Sequence, residues 1–113
     1  MLQLIALVTT LAIEGCGMAV LAWLLPGWRG QWLRAVLLAL GLNLVSHTIF
    51  WYTLPHVTLP YAVAVPVAEL VVALGEGAVY ATTVARPRWT GWLVSLALNW
   101  ASWVLGSYVW RLV

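Results

Sequence analysis

The sequence predicts an all-α membrane protein: four transmembrane helices forming two tandem, like-oriented helical hairpins. Three observations predict it. Of 113 residues, 65% are apolar and 7% charged, against roughly 25% charged in a soluble globular domain. Four apolar stretches, about residues 2–25, 32–54, 61–84 and 92–110, each approach the ~20 residues that a spanning helix needs. The connections 26–31, 55–60 and 85–91 are short, and each holds Pro. Loops this short force antiparallel neighbours and end helix hairpins. A single transmembrane domain over 1–113, with no soluble part, is therefore expected.

The first stretch lacks the basic start of a cleaved signal peptide, and Glu14 interrupts its apolar run, so it reads as a span. Thr10, Glu14 and Gly17 fall on one of its faces. Cys16 excludes an intrachain disulfide and a cysteine-cluster metal site, and reads as a small packing residue. On the second stretch Asn43 and His47 share a face, with Ser46 beside them. The third holds Pro66, expected to kink it, then Glu69, Glu76 and Tyr80 on one face. The fourth carries a stripe of Ser95, Asn99, Ser102 and Gly106. Each helix thus has one polar stripe on a lipid-like surface, and the stripes are expected to converge.

The basic residues are five arginines and no lysine. Arg29 and Arg34 flank the first loop, and Arg86 and Arg88 lie in the third. The positive-inside rule places loops 26–31 and 85–91 in the cytoplasm, with both ends of the chain and His56 outside, as in a bacterial cytoplasmic membrane. Trp23, Trp28, Trp32, Trp89 and Trp92 read as an inner aromatic belt; Trp51, Tyr52, Tyr61, Tyr108 and Trp110 read as an outer one. Trp100 and Trp103 fall at mid-membrane and are expected to pack or line something. A net charge of +2 offers no nucleic-acid footprint.

The halves 1–57 and 58–113 match in order. Glu14-Gly15, a Trp-bearing loop and Asn43-Leu44-Val45-Ser46 are followed by Glu76-Gly77, a Trp-bearing loop and Asn99-Trp100-Ala101-Ser102. This reads as a parallel repeat about an axis along the membrane normal.

The intramembrane polar residues carry the functional reading. An ionised residue at the bilayer centre costs about 2.5–3.5 kcal/mol. Glu14, Glu69 and Glu76 together would cost on the order of 8–10 kcal/mol if charged and unpaired. The arginines all sit at helix ends and His47 is the one basic group at depth. The carboxyls must therefore hold their protons or face a cavity that admits water or a cation. At about 1.5 Å per residue, Glu14, Asn43 and Asn99 fall near the midplane, Glu69 and His47 in the outer half, and Glu76 and Tyr80 in the inner half. Glu14, Glu69, Glu76, His47, Asn43, Asn99 and Tyr80 are the candidates for a proton or cation path. Ser46, Ser95, Ser102 and Gly106 read as helix-packing residues, and His47 as a hydrogen-bond partner for Glu69. No metal or cofactor is expected: a haem needs a second ligand or a dedicated pocket, and His56 lies in a loop.

The layout resembles the small multidrug resistance transporters, which are four-helix chains of similar length. Glu14 matches the essential glutamate in their first helix, and Thr53-Leu54 followed by Tyr61-Ala62-Val63 is similar to the start of their third. The resemblance implies a dimeric, proton-coupled exporter of cations. The Trp-Ser/Thr-Gly run of that family's third helix is absent, and Glu69, Glu76, Asn43 and His47 have no counterpart in it.

Two functions follow as expectations. One is a small proton- or cation-linked transporter or channel, in which a second protomer completes the path. Another is an accessory subunit of a larger respiratory or photosynthetic membrane complex. An enzyme is not expected, since no nucleophile order, histidine-rich metal set or phosphate loop is present.

Overall fold

The computed structural model describes residues 1–112. It is all-helical, with 88% of the chain in helix and no strand among the described residues. Helices α1 (Leu2–Leu24), α3 (Trp32–Thr53), α4 (Tyr61–Thr83) and α5 (Trp89–Leu112) are long; α2 (Pro26–Arg29) is a single turn, and a 3₁₀ turn covers Leu54–His56. The segments Leu2–Leu24, Trp32–His56 and Tyr61–Thr83 are each long and apolar enough to cross a membrane. Helix α5 is as long, but it carries five tryptophans with Asn99 and several hydroxyls, which dilute its apolar character.

Helix boundaries follow local chemistry. Pro26 opens α2, where its missing N–H costs nothing. Pro87 precedes α5, which starts at Trp89, three residues earlier than the glycine at 91 suggests. Glycine here does not end a helix but admits a neighbour. A Cβ on Gly91 would lie 2.5 Å from the Ala81 backbone nitrogen. One on Gly77 would lie 2.7 Å from Trp92 Cδ1. Helices α4 and α5 thus approach backbone to backbone, and Ser95 Oγ donates to the Ala73 carbonyl at 2.6 Å across the same seam. Small residues and hydroxyl bridges of this kind drive helix association in lipid. Helix α4 runs through Pro66 as one unbroken element.

The long helices pack as two hairpins, α1 with α3 and α4 with α5. The hairpins join through α1 and α5, while α3 and α4 scarcely meet. Gly17 explains the joined side: a Cβ there would fall 2.6 Å from Leu98 Cδ2. The buried apolar core lies at the end of the bundle that holds α2, and includes Met18, Ala22, Trp28, Tyr80, Val84 and Leu98.

Several surface expectations change. Trp28 is not in an aromatic belt but fully buried, because α2 folds the first loop inward. Trp100 neither packs nor lines anything; it is 65% exposed, pointing outward from α5. Cys16 also lies on the exposed side of α1.

Replacing Gly91 by Ala should lower the thermal midpoint of the detergent-solubilised protein, by about 1–3 kcal/mol of stability. Gly41→Ala, where a Cβ meets nothing within 4 Å, should not. Equal midpoints for the two variants would remove the backbone-contact account of the α4–α5 seam.

Candidate functional site

The polar stripes of the four long helices face one cavity of about 230 Å³. Its walls come from the first half of α1 (Thr9, Thr10), the last half of α3 (His47, Trp51), the first half of α4 (Tyr61, Glu69) and the last half of α5 (Trp103, Trp110). It therefore occupies the end of the bundle that carries residue 1 and the 3₁₀ turn. Glu14, Asn43, Asn99 and Ser102 form its deep part. One chain supplies all four walls.

Glu14 and Glu76 occupy comparable settings. Glu76 Oε1 accepts from Ser46 Oγ at 3.1 Å and Oε2 from Asn99 Nδ2 at 3.2 Å. Asn43 and Ser102 stand beside Glu14 in turn. Each carboxyl thus has an asparagine from its own hairpin and a serine from the other. The asparagines are braced alike. Asn43 Nδ2 donates to the Ala39 carbonyl at 2.8 Å, and Asn99 Nδ2 to the Ser95 carbonyl at 2.9 Å. Both carboxyls are nearly sealed, Glu14 at 2% and Glu76 at 4% exposure. They differ in one respect: Glu14 Oε2 is buried without a hydrogen-bond partner.

Glu69 lies two helical turns before Glu76 on α4 and lines the cavity, half-buried. Glu14 and Glu69 therefore line the cavity, while Glu76 lies buried behind its wall beside Ser46 and Asn99. All five arginines are exposed at the helix ends or in loops, so no guanidinium neutralises them. Among the described residues no group of His, Cys, Asp and Glu has the arrangement of a metal site.

Other candidates are placed differently from the sequence expectation. His47 does not pair with Glu69; its Nε2 accepts from Trp51 Nε1 at 2.6 Å. That contact fixes His47 as a bare acceptor at Nε2. Gly106 is not a packing residue, because it lines the cavity and a Cβ there would meet nothing within 4 Å. Ser95 does pack, whereas Ser46 and Ser102 serve the carboxyls. Tyr80 does not line the cavity. It is fully buried beyond the floor, its hydroxyl without a partner.

Beyond the floor the bundle is plugged. Trp28 packs on Tyr80 with ring centroids 6.1 Å apart, and its Nε1 donates to Thr90 Oγ1 at 2.9 Å. Gly27 lies so close to the Arg86 carbonyl oxygen that a Cβ would collide with it. The first loop is thereby docked on the third. The sequence reading missed Trp28 and Thr90, since they lie 62 positions apart and share no local pattern. It also missed Trp51 as the partner of His47, although the i,i+4 spacing was there to be read.

No family model, curated protein or solved structure matches this chain.

Cysteine accessibility tests the one-ended cavity. In a Cys16→Ser background, Thr10→Cys and Ser107→Cys should react with a charged, membrane-impermeant thiol reagent. Val84→Cys, in the plugged core, should stay unlabelled until the protein is unfolded. Equal labelling of Val84→Cys and Ser107→Cys in the folded protein would show that no plug exists.

Proposed function

We propose that this chain is a proton- or cation-linked transporter of a cytoplasmic membrane, working through its buried carboxyls. The observation that carries the reading is Glu14. It is a carboxyl at the floor of a cavity open toward one end of the bundle, with one oxygen unpartnered and no arginine in reach. Buried polar atoms are almost always satisfied, so an exception calls for a reason. A carboxyl that must alternately hold and release a positive charge supplies one.

In this reading all four long helices span the bilayer. Helix α5 is flanked by α1 and α4 and is 24 residues long, about 36 Å at 1.5 Å per residue. The arginine-bearing loops face the cytoplasm, and the cavity opens outward. The plug of Trp28, Tyr80 and Thr90 closes the inner side, so passage needs α2 to move off the third loop. That favours a gated carrier over an open channel.

The matched surroundings of Glu14 and Glu76 support the internal repeat. So do Gly15 and Gly77, each of which follows its glutamate and contacts the second helix of its own hairpin, at Leu40 and Trp92. The repeat is imperfect where it matters. Counting from the glutamates, Val79 stands where Gly17 stands in the first half. Only the Gly17 side lets the hairpins close.

Reconstitution into proteoliposomes tests the proposal. The chain should carry proton or cation flux that responds to an imposed gradient. Glu14→Gln and Glu76→Gln should each reduce it about 10–100-fold, the factor equivalent to losing one hydrogen bond to a charged group. Glu69→Gln should reduce it less, and the thermal midpoints of Glu14→Gln and Glu69→Gln should hold. Absence of flux, or flux that survives all three substitutions, would falsify the reading. The competing reading as an accessory subunit draws on Trp100, exposed in mid-helix as a partner contact would be. Gentle extraction separates the two: a large co-purifying assembly favours the subunit, and a free chain or small homo-oligomer the carrier.

A further inference from the structure

We propose that the cleft between the start of α3 and the end of α4 binds the phosphate headgroup of an anionic phospholipid. The cleft lies at the plugged end of the bundle, away from the carboxyl cavity, and exists because α3 and α4 scarcely meet. Arg34 and Gln31 line it from one side, Thr83 and Arg86 from the other. Two guanidinium groups, 52 positions apart in sequence, thus converge on one opening. Guanidinium forks match phosphate oxygens in geometry as well as charge.

The surrounding charge is one-sided. Arg29, Arg34, Arg86 and Arg88 all belong to this end, while Glu14 and Glu69 line the cavity and Glu76 is buried within the bundle. Arg29 is already engaged: its Nε donates to the Trp23 carbonyl at 2.9 Å, and its guanidinium lies 5.5 Å from that ring's centroid. Arg86 spends one nitrogen on the Ala85 carbonyl at 2.7 Å and retains the rest of its fork. No side chain caps the first turn of α3 at Gln31, so backbone N–H groups there add to the positive potential.

The occupant is a lipid rather than a soluble anion because the cleft continues along an apolar flank. Leu33 and Leu37 line it and are 61% and 59% exposed. They form a strip of α3 that an acyl chain covers while its headgroup sits between the arginines. Basic pockets between helices on the cytoplasmic side are a known form of headgroup recognition. The site is independent of the carboxyl cavity, so its fate and that of the transport reading are separable.

Native mass spectrometry of the full chain, released from detergent and titrated with lipid, tests it. One equivalent of phosphatidylglycerol should be retained under conditions that strip phosphatidylcholine. Arg34→Gln and Arg86→Gln should each weaken retention about five-fold, the factor for one basic residue at a membrane surface. Arg111→Gln, at the opposite end, should leave it unchanged. Phosphatidylcholine held as firmly as phosphatidylglycerol, or equal weakening by Arg111→Gln, would overturn the proposal. Displacement of the lipid by an equal concentration of inorganic phosphate would overturn the lipid assignment.

Discussion

Everything in this bundle depends on burying two carboxyls without a cationic partner. Glu14 and Glu76 are packed among apolar helices, and the groups supplied to them are neutral amides and hydroxyls. Neutral donors compensate a carboxyl less completely than a guanidinium does, and they leave its protonation open to change. The same donors also tie the hairpins together. Ser46 of α3 reaches the glutamate of α4, and Asn99 of α5 holds the other oxygen of the same group. Glu76 is therefore a structural joint between the hairpins. In a bilayer, where apolar side chains gain little by leaving lipid for one another, such joints and the close glycine seams are what hold helices in register.

The two seams between hairpins are unequal, and the inequality shapes the molecule. Gly17 lets α1 and α5 approach closely, while nothing comparable draws α3 to α4. The polar cavity forms at one end and the arginine-lined cleft at the other. The plug of Trp28 on Tyr80 limits the cavity from below and lies against the same floor.

Much of this was legible in the sequence because lipid imposes simple rules. Apolar length marked the helices, i,i+4 spacing brought Asn43 and His47 to one face, and i,i+7 spacing brought Glu69 and Glu76 to another. The lack of an arginine at depth in the apolar stretches identified the unbalanced carboxyls. What escaped were features set by tertiary approach. A tryptophan beside an arginine in a loop reads as interfacial, and nothing local says that α2 turns Trp28 inward to meet Thr90. Glycine is ambiguous in the same way. Gly91 looks like a helix boundary and is a packing contact; Gly106 looks like a packing residue and faces open space. Whether a neighbour arrives is decided by the other helix.

The segment 57–60 has a meaning that its short length hides. Its residues are all exposed, and the hairpins it links already meet through α1, α5 and the carboxyl joint. The first and third loops are different, since each is locked to the other by Gly27, Trp28 and Thr90. The middle connection is thus a covalent convenience. The contacts that join the hairpins do not run through this tether.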